Sequence, residues 1–200
     1  MEREEFTLSK PRFEALSDGV FAIAITLLIL EIHLPDHRFA SATGTQVKDL
    51  LSLGTQYFVY FATFATIGIM WLNHHALFRY VERITHGMAI ANLLLLSLIC
   101  FLPFATEVIA RFGLSPVTIV YYGLVGSLIS VGYLVLQRQV IAAHASVPRK
   151  LTLWNLVGLA FYPIATVIGY FFPLGGLFVF GLLALFYMLP QNVRSAAVRP

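Results

Sequence analysis

Long apolar runs separated by short polar segments set the pattern of this chain. The first run, Leu16 to Leu34, is nineteen residues with only Asp18, Glu31 and His33 ionisable. At about 1.5 Å per residue it makes roughly 28 Å of helix, enough to cross the hydrocarbon core of a bilayer. Five further runs follow, predicting helices over 47–78, 87–110, 116–136, 151–172 and 174–189. The second is longer than a bilayer needs, so its last two turns are expected to emerge or tilt. Pro103 predicts a kink in the third, because proline withdraws a backbone donor from the helix. Pro11 suits a first helical turn, where no donor is needed. Between the runs lie the turn-rich stretch Pro35 to Thr45, the charged turn Tyr80 to Thr85 and the tight Pro173, Gly175, Gly176 corner. The expectation is an all-α integral membrane protein with six spans in one domain, residues 12–190, between polar tails at 1–11 and 191–200.

Composition agrees with the pattern. Hydrophobic residues make up 58% of the chain and mean hydropathy is +0.81. Charged residues are 12%, against roughly 25% in soluble domains. The basic pI does not point to nucleic acid, because the positive charges are spread over short loops instead of one stripe. A single cysteine, Cys100, leaves no intramolecular disulfide to form. The amino-terminal segment mixes acidic and basic residues, and no small-residue cleavage site follows the first run, so that run reads as a retained helix. With both ends in the cytoplasm, Arg3, Lys10, Arg12, Arg79, Arg83, Arg138, Arg149, Lys150, Arg194 and Arg199 fall inside, and Arg38, Lys48 and Arg111 outside. Ten of thirteen is a clear positive-inside bias, and it requires an even number of spans in a cell membrane.

That orientation puts the start of helix one (Arg12, Ser17, Asp18) and the end of helix two (Trp71, Asn73, His74, His75) on one side of the membrane. Arg12 and Asp18 are six residues apart, about 240° around a helix, so they do not pair with each other. His74 and Asn73 carry the right donors for Asp18 and Ser17, at a boundary where a lone charge costs several kcal/mol. The alternative leaves Asp18 wet among headgroups and the histidine pair facing water.

The run Arg12-Phe-Glu-Ala-Leu16-Ser17-Asp18 is similar to the R-x-x-x-F-S-D signature of the prokaryotic members of the transmembrane protein 175 family, relatives of a lysosomal potassium channel. The likeness continues through GVFAIAITLLILEI, and His74-His-Ala-Leu-Phe78, preceded by Trp71 and Asn73, resembles the family's H-x-x-x-F element. Leu16 departs from the usual phenylalanine but exchanges one large apolar group for another. The six-run layout covers the whole chain, while the motifs lie in helices one and two. The resemblance implies a homotetrameric potassium-permeable cation channel whose first helices line a central pore. It needs no cofactor or bound metal beyond the permeating ion, and its partners are the bilayer and monovalent cations. It also places Arg12, Ser17, Asp18, Trp71, Asn73, His74 and Phe78 in a polar network that holds the pore helix.

No carbonyl-type filter sequence and no re-entrant loop is present, so selectivity must come from side chains. With Ile23 at zero and about 100° per residue, Leu27, Leu30, Leu34 and Gly19 fall within about 40° of it, and Thr26 lies beside them. Asp18, at about 220°, points away from this stripe. The resemblance assigns the narrowest ring to Ile23, with Leu27 and Leu30 as outer rings and the Thr26 hydroxyl available to an ion. Potassium sheds water more easily than sodium, which implies weak to moderate selectivity. Periodicity alone does not single out Ile23, since nearly every position from Val20 to Leu30 is apolar. Ala15, Gly19, Ala22 and Thr26 form an adjoining seam of small residues that allows close helix approach. Glu31, with His33, could draw cations to an outer pore mouth near Leu34, or could simply face headgroups.

Other classes of function fit less well. Ser17, Asp18 and His74 are the residue types of a hydrolytic triad, but Ser17 and Asp18 are adjacent, about 100° apart, and His74 could hardly serve both in order. No Gly-x-Ser-x-Gly, His-Glu-x-x-His or phosphate loop occurs. A secondary transporter is the nearer rival, yet the chain shows no inverted repeat and no broken helix pair at mid-membrane. Proton or non-selective cation passage is a further alternative. Trp71, Trp154, Tyr57, Tyr80 and Tyr170 near the run ends suit interfacial anchoring, and His86 and His144 read as loop histidines.

Overall fold

The computed structural model describes residues 8–34, 43–144 and 149–188. The two predicted tails beyond these limits lie outside the described residues, as do most of the 35–45 loop and the side chains of Arg3, Arg38, Arg149, Lys150, Trp154, Arg194 and Arg199. Helix α1 (Lys10–Leu27) tightens into a 3₁₀ turn at Leu28–Glu31, and α2 (Thr43–Ser52) leads into α3 (Gly54–Phe78). Then come α4 (His86–Ile99), α5 (Phe101–Phe112), α6 (Pro116–Ala143), α7 (Arg149–Phe171) and α8 (Pro173–Met188). The six apolar runs thus appear as helical segments in the predicted order.

Three of these stretches, Lys10–Glu31, His86–Phe112 and Pro116–Ala143, are long and apolar enough to cross a membrane. Gln46–Ser52 and Gly54–Phe78 make a fourth if the pair, bent by 45°, counts as one span. Gly158–Phe171 and Pro173–Leu185 are shorter apolar helices. Large apolar side chains such as Phe61, Leu93, Phe104, Leu124 and Phe178 stand exposed on the outside of the bundle. A surface of that kind needs lipid or another chain against it.

One helix detail differs from the sequence reading, and a second, the interruption ahead of Pro103, follows it. The surplus length of the second run is taken up at its start: the bend falls at Leu53, and α3 continues unbroken to Phe78, where its last turns pack on α1 and α4. The third run breaks at Cys100, between α4 and α5. The cause is Pro103, whose missing N–H leaves the Ile99 carbonyl, four residues back, without its helical donor. Sequence signals fix the ends elsewhere. Thr85 caps α4 by accepting from the Met88 N–H (3.3 Å). Ser115 and Thr118 form a reciprocal cap on α6, with Pro116 at its first position. Gly113, at φ 75°, makes the left-handed turn that ends α5.

The core runs between α1, α3, α4 and α6, with α7 and α8 packed on the far side of α6 and α3. Glycines allow the closest approaches there: a side chain on Gly176 would meet the backbone of Gly169, joining α7 and α8 at main-chain contact. At mid-height Tyr122 of α6 lies 2.8 Å from Thr63 of α3, which lies 3.1 Å from Thr106 of α5. Thr106 in turn donates to the Leu102 carbonyl (3.0 Å). This hydroxyl chain ties three helices inside the apolar core.

Candidate functional site

Helix α1 is divided lengthwise. Phe13, Ser17, Phe21 and Ala24, with Leu28 beyond them, are buried against the chain's own helices. They recur at intervals of three or four residues, which is one face of a helix. The opposite face is open: Ile23 is 60% exposed, Leu27 43%, Leu30 66% and Leu34 66%. Gly19 and Thr26 share that face, and an added Cβ at Gly19 would meet nothing within 4 Å. The predicted stripe is therefore a surface that the chain's own helices leave uncovered. The Thr26 hydroxyl donates to the carbonyls of Ala22 and Ile23 (3.0 Å each). Its proton is engaged within the helix, and its lone pairs remain for an outside acceptor of electron density.

The anchoring side is built from α1, α3 and α4. Ser17 is fully buried and donates to the Phe13 carbonyl (3.0 Å). Having spent its proton, it accepts from Nδ2 of Asn92 (3.0 Å). That bond fixes the Asn92 amide, so its oxygen faces Nε2 of His74 (2.8 Å) and the histidine carries its proton on Nε2. Phe78 stacks on His74 (centroids 4.5 Å) and also meets Phe13 (5.0 Å), while Phe21 packs edge-on to His74 (5.6 Å). A buried hydrogen-bond line is thus closed inside an aromatic cage.

This arrangement corrects the pairing read from the sequence. Asp18 is held not by His74 but by Nε1 of Trp71 (2.7 Å), and the pair stays partly exposed. Ser17 meets Asn92, not Asn73. Trp71, His74 and Phe78 lie at i, i+3 and i+7, one face of α3, whereas Asn73 is about 200° from Trp71 and points elsewhere. Asn73 lines a cavity on the other side of α3. Arg12, assigned to the network by resemblance, is exposed and makes no hydrogen bond or ion pair with a described residue.

The outer end of α1 carries a second polar knot. The His33 N–H donates to the Gln56 side chain (2.9 Å), and its ring Nδ1 meets the Glu31 carbonyl (2.9 Å). Arg111 of α5 reaches His33 Nε2 (3.5 Å) and pairs with Glu107 (2.6 Å). Glu31 lies within electrostatic reach of Glu107, His33 and Arg111. The 3₁₀ turn, at three residues per turn, rotates Glu31 further from the open stripe and toward this knot. Glu31 therefore sits beside the His33–Arg111 contact between the end of α1 and α5, while Leu34 stays exposed.

Sequence reasoning missed Asn92, Gln56, Glu107 and Tyr122. Asn92 left a signal: a lone amide in HGMAIANLLLLSLI has to find a partner inside the membrane. Among the described residues no group of three or more His, Cys, Asp or Glu is placed to hold a metal ion.

The fold and site define a helical membrane protein in which an amino-terminal helix is held on one side by buried polar groups and is bare and apolar on the other. This protein belongs to the TMEM175 family. The family model for the endosomal/lysosomal potassium channel TMEM175 matches residues 12–103. The chain is 30% identical to a Chryseobacterium potassium channel over 194 residues, 92% of this chain and 95% of that one. It is 41% identical over 114 residues to the mouse endosomal/lysosomal proton channel TMEM175, 54% of this chain and 23% of that one. The fold superposes on the crystal structure of a lysosomal potassium-selective channel TMEM175 homolog from Chamaesiphon minutus with a TM-score of 0.77. Identity there is 33%, covering 92% of this chain and 97% of that one. Several curated relatives are matched over only about half of this chain, and over about half of their own length or less.

Proposed function

We infer that the chain is the subunit of a homotetrameric channel that conducts potassium passively, with α1 of each subunit around the central pore. The observation carrying this reading is the lengthwise division of α1. An open face turned to lipid would place Arg12, Gly19 and Thr26 against hydrocarbon, where the polar members are costly and the small one gains nothing. Turned to other copies of the chain, the seam Ala15, Gly19, Ala22 and Thr26, all exposed, brings the helices close. Ile23, Leu27 and Leu30 then face the axis. Six spans with both termini in the cytoplasm of a cell membrane account for the charge distribution.

A ring of isoleucine side chains conducts only when wide enough to hydrate and closes by dewetting. It offers no fixed dipoles, so it separates potassium from sodium by hydration cost alone, with weak to moderate selectivity. Reversal potentials of the reconstituted protein under bi-ionic potassium and sodium test this. Ile23→Asn puts a polar amide in the ring and is expected to raise sodium permeability toward that of potassium. Unchanged currents and selectivity would remove Ile23 from the filter. A second reading, proton passage through the same constriction, is supported by the name of the mouse relative. A pH gradient imposed without a potassium gradient separates the two.

A further inference from the structure

Two pairs of polar residues stand in matching register on α3 and α6. Thr66 and Asn73 are seven residues apart on α3, and Ser130 and Gln137 are seven apart on α6, so each hydroxyl shares a helix face with its amide to within about 20°. Thr66, Asn73 and Ser130 line a cavity of about 60 Å³, together with Tyr133 of α6 and Tyr162 of α7. Gln137 lies one turn beyond Tyr133. Helical side chains lean toward the amino-terminal end of their helix, which brings the Gln137 amide back toward that cavity. Gln137 is completely buried, yet neither its Oε1 nor its Nε2 hydrogen-bonds to a described residue. Asn73, half-buried, also makes no hydrogen bond with a described residue.

The chemistry of these groups asks for an occupant that both donates and accepts. Thr66 and Ser130 give their protons to the carbonyls of Ala62 (2.8 Å) and Gly126 (3.0 Å), so toward the cavity they can only accept. Asn73 and Gln137 each bring N–H donors and a carbonyl acceptor. A buried amide left unmet is costly, while a bridging water is nearly as good as a direct bond. We propose that the cavity holds a cluster of roughly two to four buried waters that bridges Asn73 and Gln137, joining α3 to α6 beyond their Thr63–Tyr122 contact. The number follows from the volume, at about 15–30 Å³ of room per water. An ion would find no charged lining residue and would keep its desolvation cost. The cluster lies on the other side of α3 from the line of Ser17, Asn92 and His74, so it stands or falls separately from the channel reading.

The test is X-ray hydroxyl-radical footprinting of the whole protein in nanodiscs, read by mass spectrometry, because radicals formed from a bound water oxidise the side chains beside it. Tyr133 and Tyr162 are expected to be oxidised several-fold faster than Tyr122 and Met88, which are also buried but stand away from the cavity. The double variant Asn73→Leu with Gln137→Leu removes both amides at similar volume and leaves too few polar partners to hold water, so Tyr133 should fall to the rate of Tyr122. Tyr133 and Tyr162 oxidised no faster than Tyr122 in the parent protein would overturn the cluster. Fast oxidation that persists unchanged in the double variant would overturn the two amides as what holds it. Should the double variant not fold, the single variant Asn73→Leu takes its place, since that side chain is half-buried and holds no other element: a slower Tyr133 supports the bridge and an unchanged rate overturns it.

Discussion

Replacing Asn92 with leucine removes the centre of the anchor at nearly constant volume. Asn92 is completely buried, giving one hydrogen bond to Ser17 and accepting one from His74. Bonds between membrane helices are worth about 0.6 kcal/mol each on average and up to about 1.7. A buried donor left without a partner costs about 1–3 kcal/mol. Ser17 keeps its bond to the Phe13 carbonyl, so the stranded group is the His74 Nε2–H, enclosed by Phe21 and Phe78. Two lost bonds and one stranded donor come to about 2–6 kcal/mol. The assay is SDS-induced unfolding of the detergent-solubilised protein, run as a double-mutant cycle with Ser17→Ala. The cycle isolates the Asn92–Ser17 bond and should return a coupling of about 0.6–1.7 kcal/mol. A coupling of zero, or an Asn92→Leu protein as stable as the parent, refutes the network as drawn.

The other perturbations separate anchor, assembly and packing. Gly19→Leu adds a side chain that meets nothing inside the subunit, so the folded monomer should survive while cross-linking detects fewer tetramers; unchanged tetramer yield would place the Gly19 seam away from other copies. Trp71→Phe keeps the ring and loses the bond to Asp18; because the pair is partly exposed, about 1 kcal/mol of stability is expected to go, measured in the same SDS titration. Gly176→Val forces apart the main-chain contact with Gly169 and should cost about 1–3 kcal/mol, visible as a lower thermal midpoint, whereas Gly175→Ala should be close to neutral since its neighbours stand at 3.4 Å or more.

How much of this was legible in the sequence depended on how local the cause was. The helices could be read because apolar runs, Pro116 and the Ser115 cap act within a turn of themselves. The open stripe of α1 followed from 3.6-residue geometry once Ile23 was fixed, and the structure leaves that face uncovered. The pairing of Ser17 was not legible, because its partner stands 75 positions away on α4 and neither residue carries a charge to advertise the contact. Asn73 and His74 are adjacent in sequence but about 100° apart on α3, and sequence proximity suggested a partnership that rotation forbids. The surroundings of Glu31, read as either an outer mouth or the headgroups, were not legible, because the tightened turn sets it near His33 and Arg111, which α-helical angles do not anticipate.

The anchor and the proposed constriction act on one helix but need opposite environments, and their spacing is what makes them compatible. Ser17 and Ile23 are six residues apart, about 9 Å along the axis, and about 120° apart around it. The buried line at Ser17 has its donors accounted for by Phe13, Asn92 and His74, so it stays dry and fixes the rotation of α1. At the other end His33, bonded through its N–H to Gln56 and beside Arg111, fixes it again. Between the two ties the helix touches its own subunit mainly through Phe21, Ala24 and Leu28, which set its distance without adding polarity. A rotation of about 100° toward the buried face would bury Ile23 and expose Ser17. Loosening either tie should therefore act on Ile23 through rotation. Asn92→Leu and Arg111→Gln are expected to lower the open-channel current together with stability, while Ile23→Asn changes selectivity and leaves SDS resistance intact. An Asn92→Leu channel with parental stability but altered potassium to sodium ratio would contradict that division, because it would put the buried amide at the ion's path.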